Sequence, residues 1–353
     1  MLFNLISSTL ISEDNKYSHT LKDELYYFEF MMNMGMNFKF YTSEYMINHI
    51  SGIHKKYSSS LINIEKQSIK INKNTRNIFM GYTEINIFLF ILKKFIRKPK
   101  LVLIATNNFS KYRVSKYKWP LRFFLVLIKP FLVRIIVHSL YEKELILKLN
   151  KSFSNKILIK KSHLMTPKKL NKVKYKNNNL VTFFGPCKHD KKIEPFIDLI
   201  KNDHQGIFKY FIHGVDKEII QEFLPDFKVR NNLNISNYKK LSDKDYEQII
   251  IDSKLIFFGH TASFEGKISG NFCDCITTNT PFISRPIEPL ASYSKQYGPI
   301  GFFENFDDNM WSLNFLKNYQ ENEIQEMSIN LEFIAKDHSF EEIKKNLETS
   351  LIK

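Results

Sequence analysis

Apolar positions along this chain keep changing period, from short unbroken runs to stripes spaced three and four apart. Unbroken runs of about five residues bounded by polar turns predict buried strands, and stripes at i, i+3, i+4 predict amphipathic helices. In the first half, Leu2 to Ile6, Asn37 to Tyr41, Leu101 to Ala105, Leu132 to Val137 and Lys156 to Ile159 read as strands. Helices are predicted over 20–34, with Leu21, Leu25, Phe28 and Met31 or Met32 on one side, over Ile85 to Ile96, and over Leu140 to Leu149. The second half restarts with a strand at Leu180 to Phe184 and a helix carried by Ile193, Phe196, Ile197 and Ile200. A strand at Phe208 to Ile212, a helix at Lys217 to Phe223 and a strand near Phe227 to Val229 are expected next. Then come a helix from Asp243, a strand at Leu255 to Phe258, a helix over 265–277, a strand at Phe282 to Ser284, and a mostly helical tail from Trp311.

Strand and helix alternating at this spacing imply an α/β protein with mostly parallel sheets and helices on both faces. Residues 161–179 interrupt the alternation with a polar, basic stretch containing Pro167. A chain of 353 residues is long enough for two cores. The expected organisation is a first domain over 1–165, a basic linker over 166–179, a second domain over 180–330, and a C-terminal helical tail over 331–353 that packs back on the first domain. Two Rossmann-like parallel-sheet domains facing a central cleft would bind ligands at the carboxyl ends of their strands.

Charge sharpens this division. Residues 1–178 hold 32 lysines and arginines against 10 acids, a net of +22, whereas the remainder holds 20 against 26, a net of −6. A cationic half attracts polyanions: phospholipid headgroups, a lipid-linked pyrophosphate, an acidic glycan or nucleic acid. No nucleic-acid motif accompanies the charge. The three cysteines, Cys187, Cys273 and Cys275, form no disulfide framework and suit a reducing compartment. The Cys-x-Cys pair diverges on a helix, no histidine cluster completes it, and no metal site is expected.

The opening MLFNLISSTLISEDN lacks the basic start of a signal peptide, so a cytoplasmic location is expected. The longest apolar run, Phe123 to Val137, contains Lys129, Pro130 and Arg134 and divides into a helix end, a break and a strand rather than a membrane span. A helix there, with Lys116, Lys118, Arg122, Trp119, Phe123 and Phe124, suits the surface of an anionic membrane.

The densest chemistry lies between Lys254 and Arg285, KLIFFGHTASFEGKISGNFCDCITTNTPFISR. A strand, a glycine-containing turn and a helix whose amide end points outward is an arrangement that holds anions. Ile268, Phe272, Cys275 and Ile276 make the dry face of that helix and Asp274 points elsewhere. Ser269 and Gly270 would offer backbone amides to a diphosphate, with His260 ahead of them. Lys188, Lys191 and Lys192, after the first strand of this half, are candidate cations for that diphosphate. Arg285, and Tyr293 and Tyr297 near a sugar or base, are weaker candidates. The chain lacks both a G-x-G-x-x-G fingerprint and a G-x-x-x-x-G-K-[ST] loop, which disfavours a dinucleotide oxidoreductase or a P-loop ATPase.

Three segments carry a resemblance: LVTFFGPCKHDKK, KLIFFGHTASFEGKISG and CDCITTNTPFI. Together, over about 180–300, they resemble the donor-binding domain of GT-B glycosyltransferases of the group 1-like type that builds polysaccharide and lipopolysaccharide. The first half resembles that class in layout and in VHSLYEKELIL. The resemblance implies a metal-independent, hexosyltransferase-like enzyme that moves a sugar from a nucleotide-sugar donor, its substrate rather than a cofactor, to a glycan or lipid-linked acceptor. It implies a place at the inner face of the cell membrane. It also implies that Lys188 or Lys192 contacts the phosphates and that Asp274 receives the ribose hydroxyls, as the second acid of a Glu-x7-Glu pair. Glu265, followed by Gly266 as in the family, is the first acid of that pair and a catalytic candidate, although it stands nine positions before Asp274 rather than eight.

An inverting reaction needs a general base for the acceptor hydroxyl. The loop after the first strand offers Asp14 and His19, with His19 the better matched in pKa; a retaining reaction needs neither. His138 and His213 also follow strands. Two other readings stay open: a nucleotide-sugar epimerase of the same fold, and a basic nucleic-acid-binding protein.

Overall fold

Parallel strands need apolar side chains on both faces, and the first sheet is built from such strands. The computed structural model describes residues 2–7, 25, 27–29, 31–70, 75–80, 84–104, 115–137, 140–159, 179–236, 241–339 and 341–342. These fall into two compact units, one ending near Ile159 and the other running from Asn179 to Glu342. The first unit contains, in chain order, β1 (Leu2–Ser7), β2 (Phe38–Thr42), α1 (Glu44–Ile53), β3 (Leu61–Asn63), β4 (Thr75–Met80), α2 (Glu84–Lys94), β5 (Lys100–Ile104), α3 (Ser115–Ile128), β6 (Leu132–Val137), α4 (Leu140–Leu149) and β7 (Ile157–Ile159). Its seven strands are ordered β3-β2-β1-β4-β5-β6-β7, and every pairing is parallel.

Strand β4, central in this sheet and buried at all six residues, is absent from the sequence-based prediction. Arg76 and Asn77 break its apolar run, yet Asn77 is held inside by polar partners: it accepts from Asn4 Nδ2 at 2.9 Å and donates to the Lys100 carbonyl at 3.2 Å. Buried amides that find partners this way cost little. On α3, Phe123 is exposed as expected, but Phe124 is 6% exposed and belongs to the core with Leu121, Leu125 and Ile128. Among the described residues no helix is long and apolar enough to cross a membrane.

The second unit contains β8 (Leu180–Phe184), α5 (Glu194–Asn202), β9 (Lys209–His213), α6 (Lys217–Phe223), β10 (Leu233–Ile235), α7 (Asp243–Asp252), β11 (Leu255–Phe257), α8 (Gly270–Thr278), β12 (Phe282–Ser284), α9 (Leu290–Tyr297), β13 (Gly301–Phe303), α10 (Trp311–Asn318) and α11 (Glu321–Asp337). Its six strands run β10-β9-β8-β11-β12-β13, all in parallel. One face is covered by α5, α6 and α10 through Phe196, Ile197, Ile200, Ile220, Trp311 and Phe315. The other is covered by α7, α8, α9 and α11 through Ile250, Phe272, Ile276, Tyr293, Leu331 and Ile334. Each such side chain contributes roughly 1.5–3 kcal/mol on full burial. Residue 331, the expected start of the tail, lies inside α11 and packs in this core.

Two expectations are corrected here. Phe227 to Val229 forms a 3-10 turn rather than a strand, because Phe227 and Val229 donate their amides back to Leu224 and Asp226; the strand lies at Leu233–Ile235. The helix expected over 265–277 begins at Gly270, with Ser269 as its N-cap residue. Glu265 has ψ of 133° and Gly266 has φ of 79°, neither compatible with a helix.

Candidate functional site

Strand order in the second sheet reverses between β8 and β11, the switch point where open α/β sheets bind ligands. Two loops leave the carboxyl ends of these strands, one over 185–193 and one over 258–269, and they are locked to each other. The Lys192 amide donates to the Gly259 carbonyl at 2.7 Å and the Thr261 amide to the Asp190 carbonyl at 3.0 Å. Lys191 forms an antiparallel bridge with His260, and Lys267 Nζ lies 3.2 Å from Asp190. Glycine is needed for this fit: a Cβ on Gly259 would sit 1.9 Å from the Lys192 carbonyl oxygen. One on Gly185 would sit 2.0 Å from the Gly214 oxygen, where the loop after β9 crosses.

The turn Lys188–Lys191 closes with reciprocal backbone bonds of 2.9 and 3.0 Å, and it separates three lysines that look alike in sequence. Lys188 and Lys192 are exposed, with Lys192 Nζ 3.9 Å from Glu194. Lys191 instead turns inward, donates to the Phe184 carbonyl, and holds its ammonium 5.2 Å from the Phe183 ring centroid. Burial pulls its pKa down to about 8, with Cys187 and Asp190 opposing. Asp190 is itself half-buried; burial pushes its carboxyl up, but the Lys267 hydrogen bond and charge outweigh that and leave it below the usual range.

His260 is 3% exposed and stacks on Phe264 with centroids 3.8 Å apart. Burial, helped by the Lys191 and Lys267 charges, pushes its pKa down to about 3 against the pull of Asp190. It is a neutral imidazole at physiological pH, and its Nδ1 has no partner. Glu265 is half-buried in the loop before α8, and Gly266 donates its amide to the Glu288 carbonyl at 2.7 Å. At the start of α8 the Ser269 hydroxyl caps nothing and the Ser269 carbonyl takes the Phe272 and Cys273 amides. The amides of Gly270 and Asn271 precede the first intrahelical bonds, and Asn271 Nδ2 is also buried without a partner. A helix start with uncapped amides favours an anion.

Asp274 departs from its expected outward position. It is 7% exposed because α7 covers that side of α8, and its Oδ2 accepts from the Tyr246 hydroxyl at 2.7 Å. Burial and the Asp274 carboxylate hold Tyr246 well above the ordinary tyrosine pKa. Arg285 forms a two-pronged pair with Asp307 at 2.5 and 2.6 Å. Tyr293 packs in the core, and Tyr297 donates to Asp337 at 2.8 Å. Burial lowers the pKa of His213, at the end of β9, and its Nδ1 also lacks a partner. Asp14, His19 and His138 lie outside the described residues.

The structure thus brings Lys188, Lys191, Lys192 and His260 to one pair of interlocked loops, with Glu265, Ser269 and Gly270 on the segment that continues from it. Lys191 stands out from its neighbours only once the turn is formed, and no signal in the sequence ranks it above Lys188 or Lys192. Among the described residues no group of three His, Cys, Asp or Glu side chains is arranged to hold a metal ion.

No protein-family model matches the chain, and no curated protein matches it in sequence. Solved structures do match in shape. HepE of Anabaena, solved with UDP, aligns over 100% of both chains with a TM-score of 0.63 at 11% identity. A glycosyltransferase from Rickettsia africae aligns over 99% of this chain and 97% of its own, with a TM-score of 0.64 at 12% identity. The lipopolysaccharide outer core galactosyltransferase WaaB aligns over 100% and 99%, with a TM-score of 0.54 at 12% identity. Two Rossmann-like units, each with a reversal of strand order at its centre, and a likeness spanning the whole chain give this protein the GT-B fold.

Proposed function

We propose that this chain is a glycosyltransferase that moves a sugar from a nucleotide-sugar donor to a glycan or lipid-linked acceptor in cell-surface polysaccharide synthesis. The observation that carries the reading is the pair of interlocked loops at the switch point of the second sheet, with the desolvated Lys191 and a buried His260 whose Nδ1 lacks a hydrogen-bond partner. UDP in HepE and the galactosyltransferase activity named for WaaB support a nucleotide sugar as the ligand class.

Breaking the bond between the anomeric carbon and the diphosphate leaves negative charge on the departing nucleotide. Fixed cations and amides stabilise such charge best where water is excluded. Lys191, aided by Lys188 and Lys192, would meet the phosphates, as would the amides of Gly270 and Asn271. His260, held neutral, would donate or accept one hydrogen bond. Glu265 would stand beside the donor as a catalytic group. Asp274, whose Oδ2 accepts from the Tyr246 hydroxyl, would receive a ribose hydroxyl. The first unit would receive the acceptor, with His19 or Asp14 as the base if the reaction inverts. Three free cysteines fit a reducing cytoplasm.

Calorimetry with UDP, GDP and CMP and their sugars, followed by slow donor hydrolysis without acceptor, tests this directly. One nucleotide series should bind, and its sugar should be released slowly. Binding by none of them would overturn the proposal. Acceptor-free interconversion of two nucleotide sugars would assign the fold to an epimerase instead.

A further inference from the structure

We propose that the outer face of α2 and α3 in the first unit is a docking surface for an anionic lipid bilayer. Helix α2 is apolar on two sides. Ile87, Phe90 and Ile91 are buried in the core, while Ile85, Leu89, Leu92 and Ile96, the last just beyond the helix, are 70%, 46%, 55% and 96% exposed. Their spacing of four, three and four lines them up as a stripe. A helix with an apolar stripe on its outer side as well as its core side calls for apolar surroundings on both. Helix α3 repeats the pattern: Leu121, Leu125 and Ile128 are buried, whereas Phe123 and Val126 are each 53% exposed. The two helices share one core. Phe95 after α2 meets Phe131 after α3 edge-on, with centroids 5.7 Å apart. The exposed stripes therefore belong to neighbouring helices.

Charge selects the occupant. Residues 81–131 hold eleven lysines and arginines and a single acid, Glu84. Arg97, Lys98, Arg122 and Lys129 are exposed around the stripes. A second copy docking through the same face would bring the same positive charge against it and be repelled. Anionic headgroups complement it while the apolar stripes enter the headgroup and acyl boundary. The sequence placed this contact on α3; α2 supplies most of the exposed apolar side chains. This names the surface by which the proposed enzyme sits at a membrane, and its test needs neither donor nor acceptor.

The full chain is sedimented with vesicles of phosphatidylglycerol and phosphatidylcholine, and with phosphatidylcholine alone. Binding is expected to the first and to be much weaker with the second. The triple variant Ile85→Ser, Leu89→Ser, Ile96→Ser should lose at least about tenfold in partitioning, with an unchanged circular dichroism spectrum because all three side chains face outward. Arg97→Gln and Arg122→Gln should each lose about fivefold, and these decide the matter if the triple variant misfolds. Wild-type protein left in the supernatant, or charge variants that bind as well as wild type, would overturn the proposal. So would a wild-type dimer that the triple variant dissolves, since a second copy would then cover the stripe. RNA binding in the absence of vesicle binding would assign the charge to nucleic acid and likewise overturn it.

Discussion

Replacing Lys191 by methionine should move stability and nucleotide affinity in different directions. Burial takes this ammonium from 10.5 to about 8, which costs the folded state about 3 kcal/mol in the protonated form. The folded pKa lies below the unfolded one, so the folded chain holds fewer protons between about pH 8 and 10.5. Stability therefore rises with pH through that window, and the penalty is fully present below it. Methionine, unbranched and uncharged, removes the penalty. It also loses the hydrogen bond to the Phe184 carbonyl, about 1–2 kcal/mol, and the contact with the Phe183 ring, about 0.5–1 kcal/mol. The remainder leaves Tm equal to wild type or up to about 4 °C higher. A charge-assisted bond to phosphate contributes about 1.5–3 kcal/mol, so Kd for the nucleotide at neutral pH should rise about 10- to 150-fold.

Calorimetry against pH supplies the internal control. A bound phosphate keeps the ammonium charged, so wild-type affinity should be flat below the pKa of about 8 and fall about tenfold per pH unit above it. The methionine variant should lack that slope. A methionine variant that melts well below wild type yet binds the nucleotide normally would refute the reasoning, as would a wild-type profile flat through about pH 9.5.

Other expectations follow from the same geometry. Gly259→Ala drives a Cβ to within 1.9 Å of the Lys192 carbonyl oxygen, an overpacking cost of about 1–3 kcal/mol; Tm by circular dichroism should fall by about 3–10 °C, and an unchanged Tm would mean the loops are not locked there. Tyr246→Phe leaves the Asp274 carboxylate short of a donor, so stability should fall about 1–3 kcal/mol in urea unfolding with nucleotide affinity intact. Asp274→Ala should lower both, and full-strength binding in that variant removes its ribose role. His19→Ala should slow turnover about 10²- to 10⁴-fold without changing donor affinity, and wild-type turnover would remove it as the base.

Much of the second unit is legible in its sequence because the governing forces there are local. The run Leu180 to Phe184 and the stripe Phe196, Ile197, Ile200 are apolar at the period their element requires, and burial is their principal determinant. Strand β4 escapes such reading because Arg76 and Asn77 interrupt its apolar run, and Asn77 looks solvated until strands β1 and β5 supply the partners that bury it. Phe227 to Val229 has a strand's composition but satisfies its amides within its own turn.

For the candidate site, residue types alone set the region: lysines after one strand, and a histidine, glycines and a helix start after another. They could not say which lysine matters, because Lys188, Lys191 and Lys192 have identical chemistry, and only the bridge to His260 turns one of them inward. Nor could they place Asp274, since helical periodicity fixes the angle of a side chain on its own helix but not what lies opposite. The packing of α7 against α8 put Tyr246 there, and with it came the burial of a carboxylate that periodicity alone assigns to solvent.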